Sequence, residues 1–434
     1  MTLTAPTITD PAQSKASSPA TAGRAAADIV FNPLDPAFRE DPYPVYARLR
    51  AEAPVLRTKG TLILSRYEDV VAILRSRKFS VSLIPDTVVK QASRLRFTEY
   101  GQMLRFLLAS IVFTDNPDHM RLRRLVNQAY SNEAINALLP AMTDRIERLL
   151  ADHARNGACE VIGDIAEPLP IHILCDWMAV EEEARPGISE KVHAVRYLLD
   201  PGMMNRSSFE TAARSMQELT GYFGEHAARL RKSGKDTLVA RLHEARFDGK
   251  GLSDEEVAFA CVMSFVAGTE TTQCLIGNIT DALLNEPGQF AALAGDDAAI
   301  RAAIEEVTRH ETPLQFTKRL AVEDCSVGGI DIRAGEQILL CLGAANRDET
   351  VFEDADALRL QRSGPAHVGF GFGMHSCLGA LLGRVQSATF LQVLLDGYEA
   401  FERVDKQRSW QANSLILRGP ARLDMRFAAR RGIA

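Results

Sequence analysis

This 434-residue chain lacks any run of about twenty consecutive apolar residues, the length that a membrane-spanning helix requires, so its composition argues against a membrane anchor. A secretory leader, with its basic start, apolar centre and small-residue cleavage site, is not expected either. Cysteines are few and unpaired in pattern: seven, at positions 159, 175, 261, 274, 325, 341 and 377, without the spacings of a disulfide framework or a zinc site. The expected compartment is therefore the reducing cytoplasm. A large charge excess of either sign is also missing, since 50 Lys and Arg face 56 Asp and Glu for a net charge of −6. That balance favours neither nucleic acid nor an anionic membrane surface as a general partner. Beyond Phe31 there is no long Gly, Ser or Pro tract and no internal repeat, so a length that is large for one core has no linker at which to divide. Before Phe31 there is no aromatic residue at all, and Ala, Thr, Ser and Pro dominate. Residues 1–30 are expected to form a disordered tail and residues 31–434 a single domain.

What is present gathers around one cysteine. In His367-Val-Gly-Phe-Gly-Phe-Gly-Met-His375-Ser-Cys377-Leu-Gly379, glycines at 369, 371, 373 and 379 let backbone pass close to a flat, bulky group. Unhindered amides beside a sulfur stabilise negative charge on it. A cysteine so placed suits thiolate ligation of haem iron, which favours O–O cleavage over oxygen storage. Two plainer readings compete. A lone cysteine is commonly a small buried hydrophobe, and His375 offers a base for a thiol nucleophile, although side chains two apart do not face each other on a helix. The whole string Phe-Gly-x-Gly-x-His-x-Cys-x-Gly, from Phe370 to Gly379, outweighs both.

That string resembles the haem-binding signature of the cytochrome P-450 superfamily at every fixed position. The resemblance extends to Asp41-Pro-Tyr-Pro-Val-Tyr-Ala-Arg-Leu-Arg50, Ser65-Arg-Tyr-Glu-Asp69, Ala345-Asn-Arg-Asp348 and the closing Leu415-Ile-Leu-Arg-Gly-Pro-Ala-Arg-Leu423. It implies a mainly α fold with small β-sheets, holding haem b between a long central helix and the cysteine loop. Cys377 would be the axial iron ligand, with Phe370, Gly371 and Gly379 shaping its loop.

Ser253-Asp-Glu-Glu256 has the form of a capping box, and the apolar-rich run after it reaches about Leu284 without a proline. This predicts one long helix with a buried middle, where Ala267-Gly268-Thr269-Glu270-Thr271-Thr272 lies. Gly weakens a helix by about 1 kcal/mol relative to Ala, and a hydroxyl can bond back to the carbonyl four residues earlier, so a local opening is expected here. The plain alternative is a surface Thr/Glu turn on an amphipathic helix. The segment resembles the family's oxygen-activation motif. By that resemblance Ala267 and Gly268 let the helix lie against the haem, Thr271 holds dioxygen and its protons through hydrogen bonds and ordered water, and Glu270 relays protons from solvent.

Glu306-Val-Thr-Arg309 falls in a helical stretch from Ala302 to His310, and residues three apart share a face. Alone it reads as a surface ion pair of little worth. By resemblance it is the family's Glu-x-x-Arg pair, which supports the fold and haem assembly. The family's third, basic member departs here: Phe352-Glu-Asp-Ala-Asp-Ala-Leu358 carries Ala355, Ala357 and Leu358 at the corresponding places, leaving a neighbouring residue such as Arg359, or a backbone carbonyl, as substitute. Leu381 also stands where many bacterial members carry proline. Haem propionates call for converging basic groups. His119 and Arg123, four apart after Asn116-Pro-Asp118, resemble the bacterial His-x-x-x-Arg element, and Arg319 and His375 are the further candidates.

Between Phe79 and Thr114 polar loop alternates with apolar clusters, which by family analogy form a mobile lid. Met263, Ala267, Leu314, Phe316 and Leu415 are the expected substrate-lining residues, although core packing explains each equally well. Such a lining suits a medium to large apolar small molecule, one of secondary metabolism. The haem core uses almost the whole chain, so the resemblance implies electrons from NAD(P)H through a separate ferredoxin reductase and ferredoxin, met by a basic patch of Arg121, Arg124 and Arg384. The expected reaction is dioxygen-dependent hydroxylation or epoxidation. The alternatives are a peroxide-driven or redox-neutral haem-thiolate enzyme, against which Glu270 and Thr271 speak, and a haem sensor without turnover.

Overall fold

The capping box at Ser253 forms as the sequence predicts. The Ser253 hydroxyl accepts the Glu256 N–H at 3.2 Å while the Glu256 carboxylate accepts the Ser253 N–H at 2.8 Å, and the helix Asp254–Gly268 starts there. In this computed structural model, which describes residues 29–58, 60–405 and 407–430, that helix and its continuation Glu270–Asn285 run through the middle of the molecule. The expected single helix is interrupted at Thr269, whose hydroxyl donates to the Phe265 carbonyl at 2.9 Å. By length and mean hydropathy the stretch Asp254–Asn285 would suffice to cross a membrane, which corrects the view that no such segment exists. Its most apolar window is 72% buried within the protein, as befits a core helix.

Other helices pack around this axis. Arg206–Leu230 lies along Asp254–Gly268, and Ala380–Gly397 is held between Leu139–Ala154 and Asp297–His310. Phe106, Ile146, Phe223, Phe265 and Phe390 are fully buried in the shared core. Asp296 caps Asp297–His310 by accepting from the Ala298 and Ala299 amides, so this helix begins five residues before the predicted Ala302.

A five-stranded sheet stands to one side. Thr61–Leu64 pairs antiparallel with Val55–Thr58 and parallel with Gln337–Cys341, which in turn pairs antiparallel with Phe316–Ala321; Phe79–Ser80 closes the far edge. Both faces are covered, because side chains alternate along a strand: Leu62 and Leu64 enter one apolar cluster and Ile63 the other. Three smaller sheets complete the β content among the described residues.

Two expectations change. The segment from Phe79 to Thr114 is mainly helical, with helices Leu83–Leu95 and Gly101–Leu108 rather than loop. Pro85, Val88 and Ala92 turn to the core at helical spacing, and Pro85 sits in the first turn, where its missing N–H costs nothing. The tail expected over residues 1–30 lies mostly outside the described residues. At its end Ile29 is already buried, beside Phe38 and Tyr46.

Candidate active site

Cys377 ends a tightly folded loop immediately before the helix Ala380–Gly397. Its N–H donates to the Phe370 carbonyl at 2.8 Å, the Gly371 N–H donates to Val368 at 2.8 Å, and the Ser376 N–H donates to Gly373 at 3.1 Å. Gly371 and Gly373 both take positive φ, 70° and 71°. At Gly373 a Cβ would sit 2.6 Å from the Leu74 carbonyl oxygen, so no other residue fits without moving the neighbouring helix. Burial pushes the Cys377 thiol pKa upward, against the Gly379 N–H and the nearby charges of Arg123 and Arg384, which favour the thiolate. The N-terminus of the following helix adds partial positive charge on the same side.

Beside this loop four basic side chains converge from three parts of the sequence. The His119 and His375 rings lie 4.0 Å apart, and Arg123 donates to the Ser376 carbonyl at 2.6 Å. Arg319 reaches the same place from the strand Phe316–Ala321, where its charge bears on His375. Among the described residues neither Arg123 nor Arg319 forms an ion pair, and Arg319 bonds only to Thr317 and the Lys318 carbonyl. Both nitrogens of His119 and Nε2 of His375 are buried without a hydrogen-bond partner. Burial lowers the pKa of Arg319 to about 10. Burial, with the charges of His119, Arg319 and Arg123, lowers that of His375 to about 3. Two arginine cations without a counter-ion beside two imidazoles kept neutral by burial, with donors unused, form a site built for an anion.

The central helix supplies the opposite wall. Ala267 is exposed although Phe265, Val266, Thr269 and Glu270 around it are buried, and Gly268 is half-buried. The Thr271 hydroxyl donates back to the Ala267 carbonyl at 2.8 Å, the bond expected of a hydroxyl that opens a helix turn. Glu270 turns the other way. Arg196, at the end of the helix Arg185–Val195, donates to its carboxylate at 2.6 Å and to the Tyr197 hydroxyl at 3.1 Å. Burial raises the Glu270 pKa, while Arg196 and then His193 pull it down. Helix and loop are neighbours, because a Cβ placed on Gly383 would lie 3.9 Å from both the Thr272 hydroxyl and the Phe370 ring.

A cytochrome P-450 family profile matches residues 299–427. A biotin biosynthesis cytochrome P-450 of Bacillus subtilis is 31% identical over 85% of this chain and 92% of its own length. The chain belongs to the cytochrome P-450 family. The polyketide biosynthesis cytochrome P-450 PksS of the same bacterium is 29% identical, covering 90% of this chain and 97% of its own. The solved structure of the P-450 BioI, in complex with acyl carrier protein ligated to hexadec-9Z-enoic acid, superposes with a TM-score of 0.81 at 29% identity. That match covers 90% of this chain and 99% of that one. P-450 enzymes are haem monooxygenases with an axial cysteine, and they draw electrons through partners. The residues here fit haem, since one thiol in a loop of open amides, two arginines without a carboxylate partner and two imidazoles with unused nitrogens are the donors that an iron and two propionates require.

Support for the P-450 cysteine loop differs from the expected pattern. Arg309 holds Glu306 through two bonds of 2.8 and 2.9 Å and donates to the carbonyls of Asn346, Ala355 and Ala357. The third cation is Arg362, whose Nε lies 3.1 and 3.0 Å from the two Glu306 oxygens. Arg359 contributes only its backbone N–H, at 2.8 Å, and turns its side chain outward to Asp354. Asn346 then ties this group to the loop, accepting the Val368 N–H at 2.7 Å. Arg196 and Arg362 have no local sequence signal, as their partners are 74 and 56 residues away.

Two further expectations are corrected. Phe316 does not share the face of Arg319: three apart on one strand, they point to opposite sides. Phe316 instead packs edge-on against Phe31 and Tyr46, beside a separate cavity of about 30 Å³ that Leu415 also lines. Leu314 bridges to Leu417 at the sheet end, whereas Met263 is buried on the central helix one turn before Ala267. Of the basic patch, Arg121 is paired with Glu256 and Arg384 with Glu305, leaving Arg124 exposed and stacked on Phe247.

Proposed function

We propose that Cys377 is the axial thiolate of this P-450 and that it hydroxylates or epoxidises a medium to large apolar molecule of secondary metabolism. The observation that carries the site assignment is the convergence of His119, Arg123, Arg319 and His375 on the Cys377 loop, the two arginines without an ion pair among the described residues and the two imidazoles with buried nitrogens lacking a partner. When bound, haem supplies activation of dioxygen and transfer of one oxygen atom to the substrate. Arg123, Arg319, His119 and His375 would hold the haem propionates, which would supply the missing counter-charge. Gly379 N–H and the helix start behind it hold negative charge on the sulfur. Thr271 gives a hydroxyl beside Ala267 and Gly268, where a small ligand has room, and its bond to the Ala267 carbonyl fixes its rotamer.

Glu270 is the proton carrier to that hydroxyl. Its burial favours the neutral acid, Arg196 favours the carboxylate, and exchange of Arg196 for water converts a counter-ion into an acid. Met263 and Ala267 line the substrate side. The named roles of the relatives in biotin and polyketide biosynthesis, and the acyl carrier complex of P-450 BioI, make acyl chains and polyketide-type molecules the first substrates to screen. A separate ferredoxin and its NAD(P)H-dependent reductase deliver the electrons.

The test is reconstitution with that donor pair under isotopically labelled dioxygen, using compounds chosen for displacing water from the ferric spectrum. One labelled oxygen atom per product molecule is expected. Unlabelled product, or turnover with peroxide alone at an equal rate, overturns the reading. Cys377→Ser removes the strongly red-shifted band of the reduced carbon monoxide adduct; a surviving band assigns the ligand elsewhere.

A further inference from the structure

Arg384 sits early in the helix that follows the cysteine loop. Its guanidinium grips Glu305 with two bonds, of 2.6 and 2.9 Å, and His367 Nε2 lies 3.2 Å from the same carboxylate. The guanidinium carbon lies 4.2 Å from the centre of the Phe370 ring. Phe370 is the residue whose carbonyl receives the Cys377 N–H, and His367 Nδ1 receives the Gly369 N–H at 3.0 Å. A cation and an anion of fixed mutual geometry are thereby strapped to His367 and Phe370, at the start of the segment that cradles the sulfur.

Stability alone is a poor account of this group. The Arg384 and Glu305 side chains are 37% and 42% exposed, and ion pairs at such sites contribute little to folding. The cation nonetheless lies against the cysteine loop itself, 4.2 Å from the ring of Phe370, whose backbone carbonyl receives the Cys377 N–H. A positive charge near a redox centre stabilises the state carrying one more electron, and a neighbouring negative charge offsets it.

We propose that Glu305, His367 and Arg384 form a charge clamp that tunes the reduction potential of the Cys377 centre: Arg384 raises it, and Glu305 holds that rise in check. The clamp rests on the haem-thiolate reading above. Glu305 and Arg384 are positioning residues, acting through Phe370 and the loop rather than on substrate. Glu305 stays ionised throughout the working range. Burial opposes its charge, but the bonds from His367 and Arg384 outweigh burial and hold its pKa at about 2. Arg384 is then a compensated cation rather than a free one for a partner to seize.

The experiment is a spectroelectrochemical titration of the full-length haem protein and of Glu305→Gln, Arg384→Gln and the double variant, with the carbon monoxide difference spectrum recorded for each. The ferric/ferrous midpoint should rise in Glu305→Gln, fall in Arg384→Gln and return to within the repeat error of the unmodified protein in the double variant. Shifts of the same sign in both single variants, or no shift in either, overturn the clamp. A normal thiolate band with unmoved potentials refutes the clamp alone, whereas a missing band in the unmodified protein refutes the haem-thiolate reading itself. Should a neutral variant fail to hold haem, Glu305→Asp replaces it. Withdrawing the carboxylate from Arg384 by one methylene should still raise the midpoint, and an unchanged value there overturns the clamp.

Discussion

Thr271 and Glu270 are adjacent in sequence, yet they face different surroundings, and that separation is what makes them usable as a pair. The Thr271 hydroxyl is half-buried and returns its proton to the Ala267 carbonyl, while Glu270 is buried and held by Arg196. The Thr271 bond contributes little to the fold, since a net neutral intramolecular bond is worth about 1 kcal/mol. Loss of the hydroxyl should therefore spare structure and damage only proton delivery. Thr271→Ala is expected to leave haem content and substrate-induced spectral shifts intact. Product per NAD(P)H consumed should fall several-fold, with the missing electrons recovered as peroxide. Unchanged coupling would move the proton source to another group, and Arg196, which the sequence did not point to, marks where the Glu270 side chain must let go.

The network around Glu306 shows how one element supports another. The carboxylate is 2% exposed and accepts from Arg309, from the Arg359 backbone and from Arg362, so the two side-chain donors can be removed separately. Arg309→Ala strands a buried carboxylate and frees three carbonyls, a loss of about 3–5 kcal/mol. Arg362→Ala removes one charged donor and should cost about 1.5–3 kcal/mol. Arg359→Ala keeps its backbone N–H and gives up only the outward contact to Asp354, so a change within about 0.5 kcal/mol is expected. Denaturant unfolding of the three variants, with haem retention measured in parallel, checks that order; equal losses for Arg359→Ala and Arg362→Ala would contradict it. The pair itself was legible, because a spacing of three on a helix puts two side chains on one face. The third member was not: residues 352–365 have no period from which to read direction, so the nearest cation by number was an unreliable guide. The break at Thr269 was legible for the opposite reason, since glycine and back-bonding hydroxyls act locally. The lid helices were missed because polar residues and scattered cations read as loop until the buried Val88, Gln91 and Ala92 are seen on one side.

Across the whole molecule, contacts spanning hundreds of residues decide the site, and only identity, never distance, could be read for them in advance. His119 and His375 were both named from family resemblance, but their 4.0 Å ring contact and their lack of partners arise from the packing of three separate elements. Phe316 failed because strand direction was unknown, although its two-residue period would have set it apart from Arg319 once the strand was located. The same long-range assembly fixes how the fold responds to acid. Burial, aided by Arg347, lowers the His310 pKa from 6.5 to about 4. The unfolded chain therefore binds a proton that the fold refuses, and stability declines as pH falls from about 6.5 to about 4. Glu305, Glu306 and Glu311 have the complementary sign. Their pKa values are lowered in the fold despite burial, by His367 and Arg384, by Arg309 and the Arg359 amide, and by Arg418 and Arg347 respectively. Their contribution is complete above the ordinary carboxylate value of about 4.5 and is lost as pH falls below it, for Glu305 down to about 2. Denaturant midpoints taken at a series of pH values should thus be level above about 6.5, slope gently to about 4.5 and fall steeply below. In His310→Gln the gentle slope should become shallower, the remainder coming from His375 and the other histidines whose pKa values burial lowers, while the steep acid limb remains; a slope that persists unchanged would assign the first transition to those other groups.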